Sequence, residues 1–308
     1  MSEIQDAAAS EPSPEKSTPL PAPSSPPRTP SVETLQSWLP LYLKKADLTI
    51  DRLSTILSTP SGTDTILLTL GYSSLLCSTV LSSISLRRLQ NSARQFIEKA
   101  ISLPPNTALI IDTSAIPPSR LLIAAQRLKA LSSLISDFRI FARLWGLIGI
   151  WKWGKSTLAH PPADQLLRQI SYAQVLVNIF YQYLENGAYL SSKGVVGWSS
   201  EKQNKAWLWS SRFWMAHVAL DFVRLYREYA QRKSRAAGEV KDDAVTEQGE
   251  AEWKARWRKE MVVNMAYAPL TLHWSLEKGL VGDFWVGLLG SIVGITGSRV
   301  LWKNTSKS

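Results

Sequence analysis

The sequence predicts an all-α fold, a membrane-associated helical bundle, and three observations support this prediction. Apolar residues recur at the three- and four-residue steps of an α-helix, and no segment shows the sustained two-residue alternation of a β-strand. Residues 66–86 and 284–298 contain no charged side chain, and apolar runs of about 20 residues match the thickness of a bilayer. The chain also holds 13 tryptophans, clustered beside apolar runs, and tryptophan favours the membrane–water interface.

The net charge of +10 limits the partners that the chain can have. A basic protein binds nucleic acid, an anionic membrane or an acidic protein. The basic residues are spread through apolar helices and do not form a separate basic module, so we expect anionic membrane lipids as partners and no nucleic acid. The single cysteine, Cys77, excludes an intramolecular disulfide and fits a reducing compartment.

The chain is predicted to have a tail and one helical domain. Residues 1–31 are rich in Pro, Ser and Ala and poor in large apolar residues, so they are expected to form a disordered tail. Residues 32–304 are predicted to form one helical membrane domain. This domain begins with one or two short helices in residues 32–57, broken near Pro40, because leucines recur there at helical spacing.

The charge-free run of residues 66–86 is long enough to cross a bilayer as a helix. However, four serines spaced three or four residues apart line one side of this helix, and a stripe of small residues lets another helix approach closely. We therefore expect residues 66–86 to pack in the bundle or at the membrane interface. A second span, besides one at the C-terminus, is expected within residues 164–190 or 206–226.

The most informative segment is residues 120–155, which is predicted to form a helix with two faces. Large apolar side chains fall in one arc at 3.6-residue spacing and basic ones fall opposite, which is typical of a helix lying in the plane of a membrane. The alternative is a helix packed in a soluble bundle with its basic face in water. The apolar face, predicted to insert into the membrane, holds Leu128, Leu131, Ile135, Phe138, Phe141 and Trp145. The basic face, predicted to contact lipid phosphates, holds Lys129, Arg139 and Arg143.

Two further helices carry polar residues in apolar surroundings. Residues 164–190 present an uncharged amide at every fourth position, and such a stripe suits hydrogen bonds between helices. Residues 206–232 carry Arg212, His217 and Asp221 on an otherwise apolar face. The amide stripe consists of Gln174, Asn178 and Gln182.

The C-terminal part combines a charged segment with a glycine-rich helix. Residues 233–252 are charged and poor in large apolar side chains, so a flexible loop is expected. Residues 253–278 are expected to be helical in two pieces divided near Pro269. Residues 284–302 are predicted to form a membrane helix whose glycines, at three- and four-residue steps, allow close packing in lipid. The glycines predicted to mediate oligomerisation are Gly287, Gly290 and Gly294.

The sequence offers no catalytic or cofactor-binding pattern. The three histidines are scattered, and a single cysteine excludes a thiolate metal cluster. The phosphate-binding loop, the dinucleotide-binding fingerprint and the nucleophile elbow are all absent. We therefore expect no enzyme, no catalytic residue, no cofactor and no metal site.

Four segments together resemble the peroxisomal biogenesis factor eleven family, in a divergent fungal-type form. Residues 62–72 resemble its N-terminal signature of Gly, Asp, Lys, apolar residues and Tyr, with Thr65 standing where the family has Lys. Residues 128–144 resemble its Ser-x-x-Arg-x-x-x-Arg-Leu segment. Residues 181–190 are similar to its run of Leu, Glu and Tyr-Leu, and the glycine-rich tail helix matches in position.

The resemblance implies a peroxisomal membrane protein whose termini face the cytosol. It implies elongation of the membrane before fission in peroxisome proliferation, homo-oligomers, and contact with the organelle fission machinery. An amphipathic helix inserted into one leaflet favours positive curvature, which supplies a mechanism. Two alternatives stay open. One is a peroxisomal channel or small-solute transporter, favoured by polar residues within apolar helices, and the other is a soluble helical scaffold.

Overall fold

The structure is a computed structural model that describes residues 32–104, 119–237 and 247–306. Within these ranges the chain forms helices and no strand, which confirms the all-α fold. A 3₁₀ turn, Arg143–Trp145, joins α3 to α4. The helices are α1 Val32–Leu57, α2 Pro60–Ile101, α3 Arg120–Ala142, α4 Gly146–Ala159, α5 Gln165–Ser192, α6 Ser200–Ala237, α7 Glu247–Trp274 and α8 Asp283–Asn304.

The chain divides into two units, residues 1–50 and residues 51–308. In the first unit the structure describes helix α1 up to Ile50, and its described side chains are exposed. The expected break near Pro40 is wrong, because α1 continues through this proline, and α7 likewise continues through Pro269. A proline removes one backbone hydrogen bond, and the bonds of the turns on both sides keep such a helix continuous.

Helix α2 begins at a cap that the local sequence encodes. Thr59 is the N-cap residue, and its Oγ1 accepts a hydrogen bond from Gly62 N at 3.1 Å. Pro60 occupies the first helical position, where a backbone N–H would have no helical partner. The helix then runs for 42 residues, well past the charge-free run that ends at Leu86.

Helix α2 packs against two helices, since both α3 and α8 lie on it in the antiparallel direction. For α3 the direction follows from two contacts. The Ser78 hydroxyl donates to Ala125 O at 2.8 Å, and Asp64, four turns earlier in α2, pairs with Arg139, four turns later in α3. Helices α2 and α3 therefore lie side by side over most of the length of α3.

The remaining helices close a ring around a central space. Helix α8 packs against α7, α7 against α6, and α6 against α5. Helix α5 returns to α3, where Lys193 pairs with Asp137 at 2.6 Å. The buried core joins three members of this ring through Leu68 of α2, Ala266 of α7 and Val293 of α8.

The ends of the charged segment at residues 233–252 are helical, in contrast to the expected flexible loop. Helices α6 and α7 extend into the segment from both sides. Arg232 of α6 pairs with Glu250 of α7 at 2.6 Å, and this contact holds the two helices together near the turn. Residues 238–246 and the predicted tail, residues 1–31, lie outside the described residues.

Candidate functional site

Helices α2 and α8 are the described helices that are long and apolar enough to cross a membrane. In the most apolar stretch of each, 22% of α2 and 28% of α8 is buried inside the protein, whereas the core helix of a soluble protein is mostly buried. Neither α5 nor α6 is both long and apolar enough by the same measure, so a span in residues 164–190 or 206–226 stays a prediction that these helices do not support. Residues 66–86 belong instead to the candidate span α2.

The glycine face of α8 packs directly on α2 within the same chain. A Cβ added at Gly287 would lie 2.7 Å from Leu76 N, and one added at Gly294 would lie 2.7 Å from Thr69 Cα. Gly290 lies equally close to α2. The close packing expected of these glycines is therefore present, but the assignment to oligomerisation requires a correction: α2 of the same chain already covers this face.

Helix α3 presents an apolar stripe to its surroundings. The stripe continues across the 3₁₀ turn into α4, where Ile148, Trp151 and Leu158 are 64%, 69% and 70% exposed. Two residues predicted for this face point elsewhere, since Leu128 is half-buried and Ile135 is buried against Gly71 of α2. The exposed residues of the α3 stripe are Leu131, Leu134, Phe138, Phe141 and Trp145.

The basic face of α3 turns inward. Arg139 donates to both carboxylate oxygens of Asp64 at 2.8 and 3.1 Å, and its side chain is only 14% exposed. Arg143 makes the same two-pronged contact with Glu185 at 3.1 and 3.0 Å. The structure thus places these two predicted lipid-phosphate contacts in partly buried ion pairs, because each guanidinium faces a carboxylate of a neighbouring helix. The side chains of Asp64 and Arg143 are still 43% and 32% exposed.

Lys129 is the third predicted phosphate contact, and it stays near the surface. Its Nζ lies 2.9 Å from an Asp283 carboxylate oxygen at the start of α8, and the two side chains are 65% and 53% exposed. An exposed ion pair of this kind contributes little to stability, about 0–1 kcal/mol. Lys129 therefore remains available to other anions.

Arg143 keeps its charge in its partly buried pair with Glu185. Burial acts to lower the pKa of Arg143, and the neighbouring Tyr181 and Glu185 outweigh it, so the pKa rises above its ordinary value. Burial also raises the pKa of Tyr181, whose hydroxyl donates to Glu185 Oε1 at 3.0 Å. Arg143 is thus a permanent cation and Tyr181 a neutral donor at neutral pH.

Both arginines line a central cavity of about 600 Å³ between α2, α3, α5, α6 and α7. Its aromatic wall includes Trp214, whose ring stacks on Trp274 with centroids 5.5 Å apart. A second cavity of about 360 Å³ lies between α2, α3 and α8 and shares Arg139 and Tyr72 with the first. Arg139 and Arg143 therefore border an interior space in which charged side chains lie beside aromatic and aliphatic ones.

The polar residues of α5 and α6 form a separate network that does not line these cavities. Asp221 accepts hydrogen bonds from Gln174 at 2.7 Å, Arg224 at 2.9 Å and Asn264 at 3.0 Å, which join α5, α6 and α7. Burial acts to raise the pKa of Asp221, and these hydrogen bonds and the charge of Arg224 outweigh it, so the pKa is lowered. Because this network holds helices together, it gives no support to the channel alternative.

Asp64 and Glu185 are site residues that the sequence did not single out. They lie in two of the family-like segments, residues 62–72 and 181–190, but neither was predicted to be a site residue. Asp64 pairs with an arginine 75 residues away along the chain, and Glu185 with one 42 residues away. The described residues also hold no group of three or more His, Cys, Asp or Glu side chains arranged to bind a metal ion.

Comparisons with known proteins agree with this architecture. The family model for peroxisomal biogenesis factor 11 matches residues 122–302, more than half of the chain. An uncharacterized protein of Schizosaccharomyces pombe is 26% identical over 196 residues, which cover 63% of this chain and 84% of that protein. No solved structure matches the chain. The chain therefore belongs to the peroxisomal biogenesis factor 11 family, which gives it a role in peroxisome biogenesis and an association with the peroxisomal membrane.

Proposed function

We propose that the protein remodels and elongates the peroxisomal membrane during proliferation and fission by inserting the apolar stripe of α3. The observation that carries this proposal is the stripe itself, five large apolar side chains that are 44–68% exposed. Contiguous apolar surface of this kind marks a membrane or partner contact. Lipid is favoured as the contact because the neighbouring helices α2 and α8 have the length and composition of spans.

The packing of α3 on α2 determines how the stripe inserts. The two helices lie antiparallel and side by side, so their axes make the same angle with the membrane. If α2 crosses the bilayer, α3 enters the hydrocarbon beside it and does not lie in the membrane plane. We therefore revise the in-plane arrangement expected from the sequence to an insertion of α3 along the flank of α2.

The antiparallel hairpin of α2 and α8 supports the proposed topology. Arg52, just before α2, lies over the ring of Trp302 near the end of α8, 5.5 Å from its centroid. The chain therefore enters α2 and leaves α8 at the same end of the hairpin. We propose that this end faces the cytosol, where the organelle fission machinery acts, and that self-association uses faces other than the glycine face of α8.

Reconstituted vesicles test the proposed function. The variant Leu134→Ser/Phe138→Ser/Phe141→Ser removes three exposed side chains, which together contribute about 2–4 kcal/mol when half of each is buried in lipid. We expect this variant to float with vesicles, because α2 and α8 are unchanged, and to form few membrane tubules. Wild-type levels of tubules from this variant would refute the proposal. A matched control changes three exposed residues at the far end of α2: Leu89→Ser, Phe96→Ser and Ile101→Ser.

A further inference from the structure

The second cavity is a groove that opens sideways toward the surroundings of α2 and α8. Its floor is Gly71 and Leu75 of α2. Its walls are Val286 of α8 and three serines of α3, Ser132, Ser133 and Ser136. The exposed pair Lys129–Asp283 crosses its outer mouth at 2.9 Å. Its inner end adjoins the central cavity, since several residues, Arg139 and Ser136 among them, line both spaces.

The inner end offers cationic donors in a geometry that fits phosphate. Asp64 binds the Nε–Nη2 edge of Arg139, which lines this groove, and Glu185 binds the same edge of Arg143, which lines the adjoining central cavity. The two arginines are four residues apart, with Arg139 in α3 and Arg143 at the start of the 3₁₀ turn that follows it. In a helix this spacing places two side chains on one face, with Cβ atoms about 6 Å apart. Arginine binds phosphate oxygens in a fixed, two-pronged geometry that few other groups match.

The surroundings of the mouth favour a lipid as the source of that phosphate. Leu131 on α3 and Trp285 on α8 are 44% and 52% exposed on the outer surface beside the mouth. Acyl chains can lie on this apolar surface while a headgroup enters the groove. Because an exposed ion pair is weak, the headgroup can replace Asp283 as the partner of Lys129.

We propose that this groove binds the phosphate-bearing headgroup of one membrane phospholipid, with Arg139 as the phosphate ligand, Arg143 behind it in the adjoining central cavity and Lys129 at the entrance. The proposal rests on the proposed function, since it needs α2, α3 and α8 to lie in lipid. It gives the basic face of α3 the ligand class expected from the sequence, but inside the helix bundle and not at the membrane surface.

Native mass spectrometry of the full chain tests the groove. The chain is released in mild detergent from nanodiscs that contain phosphatidylglycerol, or diacylglycerol as a lipid without phosphate. We expect one phosphatidylglycerol retained per chain and no diacylglycerol. Ser136 lines both cavities, so Ser136→Trp fills the groove and lowers retention about tenfold, as expected for loss of a charge-assisted contact set. Ser83→Trp, on an exposed position of α2, serves as the matched control.

A second variant removes the charges without leaving one unpaired. Asp64→Asn/Arg139→Gln replaces both partners, because removal of one would leave a buried charge and destabilise the fold. We expect the same loss of retention with unchanged helix content. Equal retention of diacylglycerol, or unchanged retention by both the Ser136 and the Asp64/Arg139 variants, overturns the proposal. Displacement of the lipid by soluble glycerol 3-phosphate would overturn the assignment to a membrane lipid.

The two proposals fail in different ways. Tubulation of vesicles by the wild-type chain without retained phospholipid overturns the groove and leaves membrane remodelling in place. Retained phospholipid without tubulation overturns membrane remodelling and leaves the groove in place.

Discussion

The contact between the glycine face of α8 and α2 makes a prediction about alanine substitution. In Gly287→Ala/Gly294→Ala the new methyl groups would lie 2.7 Å from Leu76 N and from Thr69 Cα. Ordinary van der Waals contact begins at 3.4 Å, so α8 must move away from α2 by about 0.7 Å. Both neighbouring atoms belong to the α2 backbone and cannot rotate aside, so the whole interface loosens.

Two opposing terms set the size of the effect. Overpacking a close interface costs about 1–3 kcal/mol per site, and alanine gains about 1 kcal/mol over glycine in helix propensity. The net expectation for the double variant is a loss of about 2 kcal/mol, which lowers the unfolding midpoint by roughly 4–8 °C. Gly149→Ala in α4 is the matched control, because no atom lies within 4 Å of the added Cβ. It should raise the midpoint.

The assay combines thermal unfolding in detergent with disulfide crosslinking. The Thr69 and Ser298 hydroxyls lie 2.8 Å apart, so Thr69→Cys/Ser298→Cys, in a Cys77→Ser background, should form a disulfide within one chain and run faster on a non-reducing gel. The double alanine variant should form this disulfide more slowly. A disulfide that joins two chains would refute the intrachain packing, as would an unchanged midpoint and crosslinking rate in the double alanine variant.

Three further predictions follow from the structure. The pKa of Asp221 is lower in the folded state than in the unfolded chain. Its contribution to stability is therefore complete at pH values above the unfolded-state pKa and is lost as the pH falls through the folded-state pKa. Asp221→Asn should flatten this dependence of the unfolding free energy on acid pH. Arg143→Leu or Glu185→Leu alone should lower the free energy of unfolding by about 3–5 kcal/mol, because each leaves the other charge unpaired. Arg143→Leu/Glu185→Leu should lower it by less than either single variant; a loss equal to the sum of the two, measured by denaturant unfolding, would contradict this. Cys77 is exposed near the middle of the charge-free run of α2, so a nitroxide attached there should be reached by oxygen and shielded from a water-soluble nickel complex, and the reverse would exclude α2 as a span.

The helices and their faces were predictable because helical periodicity is a local property of the sequence. The two-sided pattern of α3 identifies Leu131 and Phe138 as one face and Arg139 as another, and both faces exist in the structure. The direction of each face was not predictable, because it depends on Asp64, which is 75 residues away in sequence from Arg139. Which face of α3 points inward is set by its pairing with helices that are distant in sequence, so no local sequence pattern predicts it.

The glycines of α8 also show what the local sequence predicts and what only the tertiary fold decides. Their spacing correctly predicts close helix packing, since only glycine lets two backbones approach as Gly294 and Thr69 do. Whether the partner helix belongs to the same chain or to a second copy is decided by the tertiary fold. The connection from α7 brings α8 beside α2, so the face is covered before a second copy can reach it.

The orientation of α3 also separates a membrane protein from a soluble scaffold. A helix in a soluble bundle turns its large apolar side chains inward and its charges outward. Helix α3 follows this rule at Ile135 and Lys129 and reverses it elsewhere: the Arg139 side chain is 14% exposed, while Leu134 is 67% exposed. In water this arrangement would leave an apolar stripe uncovered and two arginines desolvated. In lipid it would place the stripe in hydrocarbon while each arginine keeps a carboxylate partner, so the insertion that we propose uses the same contacts that hold α3 to α2 and α5.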